Sequence, residues 1–367
     1  MQKLILAGAG HAHLHIIKNL ITNPLSDVEV VLISPSDYQY YSGMFSGYTE
    51  GIYELDEIRV NLEHLSEQAN LSWYKQAVVS VDPEQKILLT DQGEVLSYDA
   101  LSFDIGSLTA HTDLKGVKEY ARRIKPNYHF PEMIQEMRES KNPIIVGGGV
   151  AGTEIALSLQ SWRSQHGYET PVTLLSGSHR LLENYPETTS KKVADIIENS
   201  GIELYMNEKV QEMNSTKVIT EDNKFNYNDV MWLAGPRAPE LFRLSNLPID
   251  NDGYLQVEST LQVEKYPSIF GAGDCVSLSH APDTPKNGVF AIREAPILWE
   301  NIKGFLSTGE GQHYNPQSKY LAIMSIGNKK GFLLYGGIAL KGKLAWRLKH
   351  RIDKKFMDTY KNLENNK

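Results

Sequence analysis

The pattern of hydrophobic and polar positions repeats a local motif at two places in the chain. Residues 3–6 form a short apolar run that leads into the glycine-containing segment 8–13, and residues 144–146 form another that leads into segment 147–152. Apolar residues then recur at spacings of three and four, which is typical of a helix that buries one face. These residues are Leu14, Ile16, Ile17 and Leu20 after the first segment, and Ile155, Ala156 and Leu159 after the second. A β-branched run follows each helix, at 28–33 and at 172–175.

Each of these stretches predicts a strand, a glycine turn, a helix and a second strand. A right-handed connection of this kind makes the two strands parallel. Glycine lets the turn backbone approach a pyrophosphate at the positive end of the helix. The second turn has the complete GxGxxG pattern, with Gly147, Gly149 and Gly152, whereas the first has His13 where the third glycine belongs. Because that glycine permits close packing of helix and strand, we expect a slightly more distant helix in the first unit.

Alternating segments supply the other predicted strands. Residues 77–107 predict hairpin strands that return to the first sheet, and residues 203–233 predict strands of the second. A later apolar strand ends in Gly273 and Asp274, which places a carboxylate at the carboxyl edge of a sheet, where ligands bind in open α/β folds. The alternative for Asp274 is a helix N-cap, and both roles are compatible.

The last part of the chain has a different character. Residues 341–361 contain eight Lys or Arg and two Asp, and apolar residues recur there every four positions. The pattern predicts a basic amphipathic helix, which we expect to lie on an anionic membrane surface with Trp346 and Tyr360 at the lipid interface. The alternatives are that it packs on its own domain or on a second subunit, which leaves a homodimer open.

Composition narrows the class of protein. The 367 residues are 41% hydrophobic, which is ordinary for a soluble globular protein of about two domains. The net charge of −8 argues against a nucleic-acid partner. One cysteine, Cys275, excludes an internal disulfide and a CxxC pair and fits a reducing, cytoplasmic compartment. No apolar run is long enough to span a bilayer, and His11, His13 and His15 lack the carboxylate or cysteine that would complete a metal site, so we predict none.

Five segments in chain order carry a family resemblance: 8–13 (GAGHAH), 97–107 (SYDALSFDIGS), 144–154 (IIVGGGVAGTE), 232–236 (WLAGP) and 268–275 (SIFGAGDC). Together they resemble the pyridine nucleotide–disulfide oxidoreductase superfamily, and within it the branch of type II NADH:quinone oxidoreductases. The missing CxxC removes the disulfide reductases. Further segments resemble a group associated with selenide, water dikinase: 34–35 with 41–44, 286–293, and 346–349 with 352–353 and 356–357.

The resemblance implies an α/β protein with two Rossmann-like domains, the second inserted in the first. The FAD-binding domain would comprise 1–110 and 240–305, and the NAD(P)-binding domain 111–239. A C-terminal α+β segment, 306–367, would end in the amphipathic helix.

The resemblance also implies the residues that bind the cofactors. For FAD they are Gly8, Gly10, His11, Ala12, Ser34, Pro35, Val78, Asp104, Gly106, Gly273, Asp274, Gly288 and Val289. For the nicotinamide nucleotide they are Gly147, Gly149, Gly152, Ser176, Arg180 and Gly235. The acidic residue that usually binds a ribose 2′-hydroxyl about 20 residues after such a turn is missing twice, because Ser34 and Ser176 stand there. Arg180 can pair with a 2′-phosphate, or be a solvated loop charge, so NADH and NADPH both stay open.

The function implied is transfer of electrons from NAD(P)H through FAD to a quinone-like acceptor. Glu154 would act on a proton or shape the quinone pocket; its alternative is an acidic residue in the first helical turn, favoured by the helix dipole. Lys286 would stabilise the reduced flavin or the quinone by its charge; its alternative is a surface lysine. Sulfide oxidation needs several cysteines, and Cys275 stands alone. The alternative function is a flavin- and nucleotide-binding partner of another enzyme, for example in selenium metabolism.

Overall fold

Two mainly parallel sheets form the centre of the molecule, one around each predicted strand–turn–helix unit. They are seen in a computed structural model that describes residues 1–335 and 338–365. The first third of the chain contains β1 (Gln2–Ala7), α1 (His11–Thr22), β2 (Val28–Ile33), β3 (Tyr38–Tyr40), α2 (Phe45–Thr49), β4 (Arg59–Asn61), α3 (Leu62–Gln68), β5 (Ser72–Tyr74), β6 (Val78–Asp82), β7 (Ile87–Thr90), β8 (Val95–Ser97), β9 (Ala100–Phe103) and β10 (Leu108–Thr109).

The middle third contains the second unit. Its elements are α4 (Val117–Tyr120), β11 (Arg122–Arg123), α5 (Phe130–Glu139), β12 (Pro143–Val146), α6 (Val150–Gln165), β13 (Thr173–Leu175), α7 (Glu187–Asn199), β14 (Glu203–Tyr205), β15 (Val210–Met213), β16 (Lys217–Thr220), β17 (Lys224–Asn226), β18 (Asp229–Trp232) and β19 (Pro236–Arg237). Strands β11, β18, β12, β13 and β14 lie in that order in an all-parallel sheet.

The last third returns to the first sheet and then leaves it. Its elements are α8 (Glu240–Leu244), β20 (Leu255–Val257), β21 (Gln262–Val263), β22 (Tyr266–Gly271), β23 (Val276–Leu278), α9 (Gly288–Leu306), β24 (Ala322–Ser325), β25 (Gly331–Tyr335), β26 (Ile338–Gly342) and α10 (Lys343–Asn365). The first sheet has the order β21, β22, β9, β1, β2, β5, in which β21 alone of these strands runs antiparallel to its neighbour. The mixed α/β class is therefore confirmed.

The expectation that residues 77–107 return to the first sheet as hairpin strands is wrong in part. Strands β6, β7 and β8 form a separate antiparallel sheet, and within this region β9 is the strand that joins the first sheet, in parallel with β1. Likewise β15, β16 and β17 form a separate antiparallel sheet beside the second unit. Alternation marks a strand with one solvated face, and it does not specify which sheet the strand joins.

The chain crosses between the two sheets at neighbouring points. Strands β10 and β19 pair antiparallel, with Leu108 opposite Arg237 and Thr109 opposite Pro236. The outward and returning connections thus lie side by side, close to residues 110 and 240. This supports the division into 1–110 with 240–305, 111–239, and 306–367, which stays a prediction; of the last segment, residues 336, 337, 366 and 367 lie outside the described part.

The C-terminal helix begins and ends later than predicted and packs partly inward. Ala345, Met357 and Tyr360 are buried, and α10 contacts β24, β25, β26 and β4. The expectation that Tyr360 faces a lipid interface is wrong, because its ring is 3% exposed and packs edge-on against Phe356. Within the described residues, no helix is both long and apolar enough to cross a membrane.

The two glycine turns differ physically at their third position. A Cβ on Gly152 would overlap the carbonyl oxygen of Gly147, so only glycine allows α6 to lie this close to β12. In the first unit the fully buried His13 stands there, with Nδ1 2.6 Å from Gly8 O and Nε2 2.8 Å from Ser102 Oγ. Burial lowers the pKa of His13 to about 4, so the ring is neutral at pH 7. Nδ1 therefore donates to the carbonyl, and Nε2 accepts from the hydroxyl.

We predict that Gly152→Ala destabilises the protein by about 1–3 kcal/mol, because the added methyl forces α6 away from β12. The measurement is the thermal unfolding midpoint, which should fall by several °C. Gly149→Ala is the matched control, because a Cβ at Gly149 meets open space and its φ of −75° suits alanine. Equal midpoints for the two variants would show that the Gly152 contact does not hold this packing.

Candidate functional site

A single large cavity joins the two glycine turns. Its volume is about 1880 Å³, and it is lined by both turns, by the start of α9 and by α10. Pockets for one drug-sized ligand measure roughly 300–1,000 Å³, so this cavity has room for more than one ligand. Of the predicted site residues, all but Ala12, Gly152 and Gly273 line it.

Asp104 organises the first turn. Its carboxylate accepts hydrogen bonds from the N–H groups of Ala12, at 2.8 Å, and His13, at 3.1 Å, at the start of α1. A Cβ on Gly10 would collide with this carboxylate, which explains why glycine is required there. Burial, reinforced by the charge of Asp274, raises the pKa of Asp104 to about 7. Asp104 and Ala12 thus contact each other, and their direct contact with a cofactor stays a prediction.

His11 lies at the junction of the cavity with the C-terminal segment. Its ring lies 5.5 Å from the rings of both Tyr41 and Phe356, and it lies against Gly288 at the start of α9. Burial lowers its pKa to about 4. Within the described residues, the buried Nδ1 has no hydrogen-bond partner. An unpaired buried nitrogen is costly, so this cavity wall fits a bound group that supplies the missing polar atom.

Asp274 stands at the carboxyl end of β22, as predicted, and it has a partner that the sequence did not indicate. Lys125 Nζ lies 3.1 Å from Asp274 Oδ2 and also donates to the hydroxyl of Ser107. Lys125 comes from an irregular segment before α5, so no periodic signal marked it. Next to Asp274, the N–H of Gly273 donates to the buried Glu294 at 2.6 Å, and Gly273 does not line the cavity.

Lys286 is not a free charge. Its ammonium donates to the carbonyl of Val276 and lies 4.7 Å from the centre of the Tyr254 ring. Burial lowers its pKa. Lys286 lines the cavity while anchoring the segment before α9. Its predicted electrostatic role stays untested, and the simple surface-lysine alternative does not describe its half-buried position.

The second turn offers open backbone to a ligand. Among the described residues, no atom lies within 4 Å of a Cβ placed at Gly149 or Gly235, so both positions leave space in the cavity wall. The buried Ser176 packs against Gly148 at the end of β13. Arg180 is already engaged, since its guanidinium donates to Tyr185 O at 2.7 Å and to Ser190 Oγ at 3.0 Å.

Glu154 is positioned by three segments of the chain. Its Oε1 accepts from Ser46 Oγ at 2.8 Å and from the N–H of Ser325 at 2.7 Å, and Lys349 Nζ lies 3.9 Å away. Burial raises the pKa of this carboxyl, and the Lys349 charge opposes the rise. Glu154 is therefore a cavity-lining carboxyl with a cation beside it. The alternative of a first-turn acid favoured only by the helix dipole does not account for these contacts.

Lys349 and Asp353 are two further site residues that the sequence did not predict. Lys349 donates to Asp353 Oδ2 at 2.9 Å and to the carbonyl of Gly43, and the Tyr41 hydroxyl donates to Asp353 Oδ1 at 3.0 Å. Burial lowers the pKa of Lys349, but Glu154 and Asp353 outweigh it and leave the pKa raised. Burial raises the pKa of Asp353. In the sequence both residues belong to an amphipathic, mostly solvated charge pattern. They differ from the other charged residues of α10 only because they lie on the side that packs inward.

The remaining predicted residues also line the cavity. Along the first sheet they are Gly8, Ser34, Pro35, Val78, Gly106, Gly288 and Val289. These positions follow one wall of the cavity, from the edge of the first sheet to the start of α9. Their roles stay predictions.

Comparison with known proteins places this geometry in a family. The family described as Pyridine nucleotide-disulphide oxidoreductase matches residues 2–295. The NADH dehydrogenase-like protein YutJ of Bacillus subtilis is 24% identical, over 95% of this chain and 99% of that protein. The type II NADH:quinone oxidoreductase of Staphylococcus saprophyticus is 25% identical, over 96% of this chain and 94% of that protein.

Solved structures share the fold across nearly the whole chain. The sulfide:quinone oxidoreductase from Aquifex aeolicus superposes with a TM-score of 0.82 at 21% identity, covering 99% of this chain and 92% of that one. NDH2 from Plasmodium falciparum in complex with NADH superposes with a TM-score of 0.80 at 16% identity, covering 97% of both chains. At these identities the likeness establishes the fold alone.

We predict that Lys349→Met destabilises the protein more at pH 8 than at pH 5. Without the ammonium, the pKa values of Glu154 and Asp353, already raised by burial, rise further. A carboxyl with a raised folded-state pKa binds more protons than the unfolded chain, so its penalty grows as the pH rises above the unfolded value of about 4. Breaking a buried ion pair costs about 3–5 kcal/mol.

The measurement is the unfolding midpoint of variant and parent at both pH values. Lys354→Met is the matched control, because Lys354 lies on the same helix in a more exposed pair with Glu57, at 3.1 Å. A loss for Lys349→Met that is the same at both pH values would contradict the assigned charge cluster.

Proposed function

The chain belongs to the pyridine nucleotide–disulphide oxidoreductase family, and we propose that it passes electrons from NAD(P)H through bound FAD to a quinone. The names of its relatives support this, since they include type II NADH:quinone oxidoreductase, a probable NADH dehydrogenase and demethylphylloquinone reductase. The balanced reaction is NAD(P)H + H⁺ + quinone giving NAD(P)⁺ + quinol.

The observation that carries the proposal is the single cavity that contains both glycine turns. FAD would lie along the first sheet, on Gly8, Gly10 and Asp274, and the nucleotide would lie on Gly147 and Gly149. When bound, FAD supplies the hydride-accepting and electron-donating chemistry. The residues present fit it, because the backbone of Gly8, Gly10 and Gly106 lines the cavity, and a Cβ at Gly106 would meet no atom of the described residues within 4 Å.

The protein offers no accessible thiol to carry electrons onward. Cys275 is fully buried, its thiol donates to the carbonyl oxygen of Ala272, which lies 3.2 Å from Sγ, and burial raises its pKa. A buried thiol without a partner cysteine does not perform sulfide chemistry. The acceptor therefore has to meet the flavin directly, which favours quinone reduction over sulfide oxidation despite the shared fold.

The acceptor end of the cavity carries the proton-holding groups. The overall reaction consumes one proton in addition to the hydride. Glu154, with its raised pKa, and the Lys349 ammonium line the cavity together, and each can hold a proton at the wall. We assign this end to the quinone head group, where these side chains orient its oxygens and exchange a proton.

We further infer that the protein docks on an anionic membrane at a surface that we call the mouth patch. Its apolar members are exposed: Tyr335, Leu340, Leu344, Leu348 and Ile352. Exposed cations form a neighbouring row along α10: Lys343, Arg347, Arg351 and Lys355. Tyr335 and Ile352 also line the cavity, so a lipid-dissolved quinone would enter the site from the patch.

The alternative, a binding partner of another enzyme, is not favoured. The relatives compared above are named as dehydrogenases and quinone reductases, and the cavity accommodates donor, cofactor and acceptor within one chain. The association with selenide, water dikinase stays a prediction.

We predict that the purified protein contains FAD, that anaerobic mixing with NADH or NADPH bleaches the flavin absorbance, and that a soluble quinone restores it. The measurement is stopped-flow absorbance. Gly149→Val is the control, because its side chain enters the open space at the second turn while the flavin site is untouched. It should retain FAD and lose at least about tenfold in the bleaching rate. Retained flavin that neither nucleotide bleaches would instead favour the binding-partner alternative.

We predict that the protein sediments with anionic phospholipid vesicles at low salt, and that the bound fraction falls as salt rises. Leu344→Glu with Leu348→Glu should weaken binding about tenfold or more, because exposed leucines contribute about 1.5–3 kcal/mol each when buried in lipid. Leu244→Glu, a similarly exposed leucine on α8, is the matched control and should bind like the parent. Equal binding of all three proteins would remove the mouth patch as the docking surface.

A further inference from the structure

We propose that Glu183 binds the adenosine ribose hydroxyls of the nicotinamide nucleotide and selects NADH over NADPH. This inference rests on the proposed function, since it concerns the nucleotide at the second glycine turn. Glu183 would take the role of the acidic residue that is missing at the position of Ser176, seven residues earlier in the chain.

The loop that carries Glu183 is anchored to the glycine turn. The N–H of Gly147 donates to Leu175 O at 2.8 Å, so the start of the turn lies in space beside the end of β13. The N–H of Leu182 donates to Gly148 O at 2.9 Å. A pyrophosphate on this turn therefore lies next to the loop, and the adenosine ribose is the next group of the ligand.

Local backbone geometry presents Glu183 to that position. Leu182 has a φ of +50°, a left-handed conformation that is unfavourable for a branched side chain and persists only where contacts impose it. Tyr185 N–H closes the turn on Leu182 O at 2.8 Å. Glu183 follows directly, lines the cavity, and has a side chain that is 55% exposed.

One carboxylate oxygen of Glu183 is oriented and the other is available. Ser178 Oγ donates to Oε2 at 2.7 Å, and His179 Nδ1 lies 3.8 Å from Oε1, beyond hydrogen-bond distance. A carboxylate held in this way accepts well from a vicinal diol, and charge-assisted hydrogen bonds are about twice as strong as neutral ones. A 2′-phosphate at the same position would meet a negative charge.

Arg180 does not compensate for that repulsion. Its guanidinium donates to Tyr185 O, to Ser190 Oγ and to the carbonyl of Glu183 itself. These bonds shape the loop and hold the arginine where it is. Arg180 is therefore a positioning residue, and the prediction that it pairs with a 2′-phosphate has no support from this geometry.

Two other charged residues line this end of the cavity, and one of them is a competitor. Glu208 is occupied, since it accepts from Thr220 Oγ1 and, at 2.6 Å, from Asn223 Nδ2. Lys209 is exposed beside Gly177 and would favour a 2′-phosphate. Its flexible stem makes it a weaker determinant than the oriented carboxylate, and it is included in the test.

The test compares binding of ADP-ribose and 2′-phospho-ADP-ribose to the purified full-length protein by calorimetry. We expect ADP-ribose to bind at least about tenfold more tightly. Glu183→Gln should reduce this preference about tenfold, by weakening ADP-ribose binding and relieving the repulsion of the phosphate. Glu187→Gln is the matched control, because Glu187 is a nearby acid that does not line the cavity and pairs with Lys191 at 2.8 Å.

The possible failures are distinguishable. An unchanged preference in Glu183→Gln, or a parent protein that prefers the phosphorylated fragment and loses that preference in Lys209→Met, would overturn the inference while leaving the nucleotide site intact. Absence of binding by both fragments would overturn the nucleotide site itself, and with it the proposed function. As a second readout, the ratio of flavin bleaching rates with NADH and NADPH should shift in Glu183→Gln in the same direction as the binding preference.

Discussion

A single buried ammonium, that of Lys349, holds together three parts of the chain that lie far apart in sequence. It contacts Asp353 on its own helix, the carbonyl of Gly43 in the first third, and Glu154 at the start of α6. Burying these charges is costly unless they remain paired, so the cluster ties α10 to α6 and to the segment before α2. The C-terminal segment is thereby held as a wall of the cavity that joins the two glycine turns.

The two turns show how one local motif is adapted to two positions. In the second, Gly152 brings α6 against β12, and the backbone at Gly149 is open to a ligand. In the first, His13 spans the gap with hydrogen bonds to Gly8 and Ser102, and Asp104 takes the N–H groups of Ala12 and His13. Since Asp104 uses two of the donors that a helix start usually offers, a pyrophosphate there has to rely on the remaining backbone groups and on its surroundings.

The sequence predicted what local periodicity determines. The strands β1, β2 and β12, both glycine turns and the carboxylate of Asp274 at a sheet edge follow from apolar runs and glycine spacing, which are short-range signals. The charged cluster did not follow, because Lys349 and Asp353 look like any solvated i,i+4 pair until tertiary packing turns that side of α10 inward. Lys125 and Glu183 were missed for a related reason: each lies in an irregular segment, where position depends on anchoring contacts with distant residues.

Helix α10 packs into the protein, lines the cavity and exposes leucines at the surface. The side that packs Met357 and Tyr360 into the protein also presents Lys349 and Asp353 to the cavity, and the other side exposes Leu344 and Leu348. Because a helix has 3.6 residues per turn, apolar positions four residues apart drift around its surface, which is why the stripe seen in the sequence divides between the interior and the surface. A quinone has the same division, with a polar head and an apolar tail. A helix that places exposed leucines beside buried charges offers each part of such a molecule its own environment, and Ile352, which is exposed and lines the cavity, marks where the two environments meet.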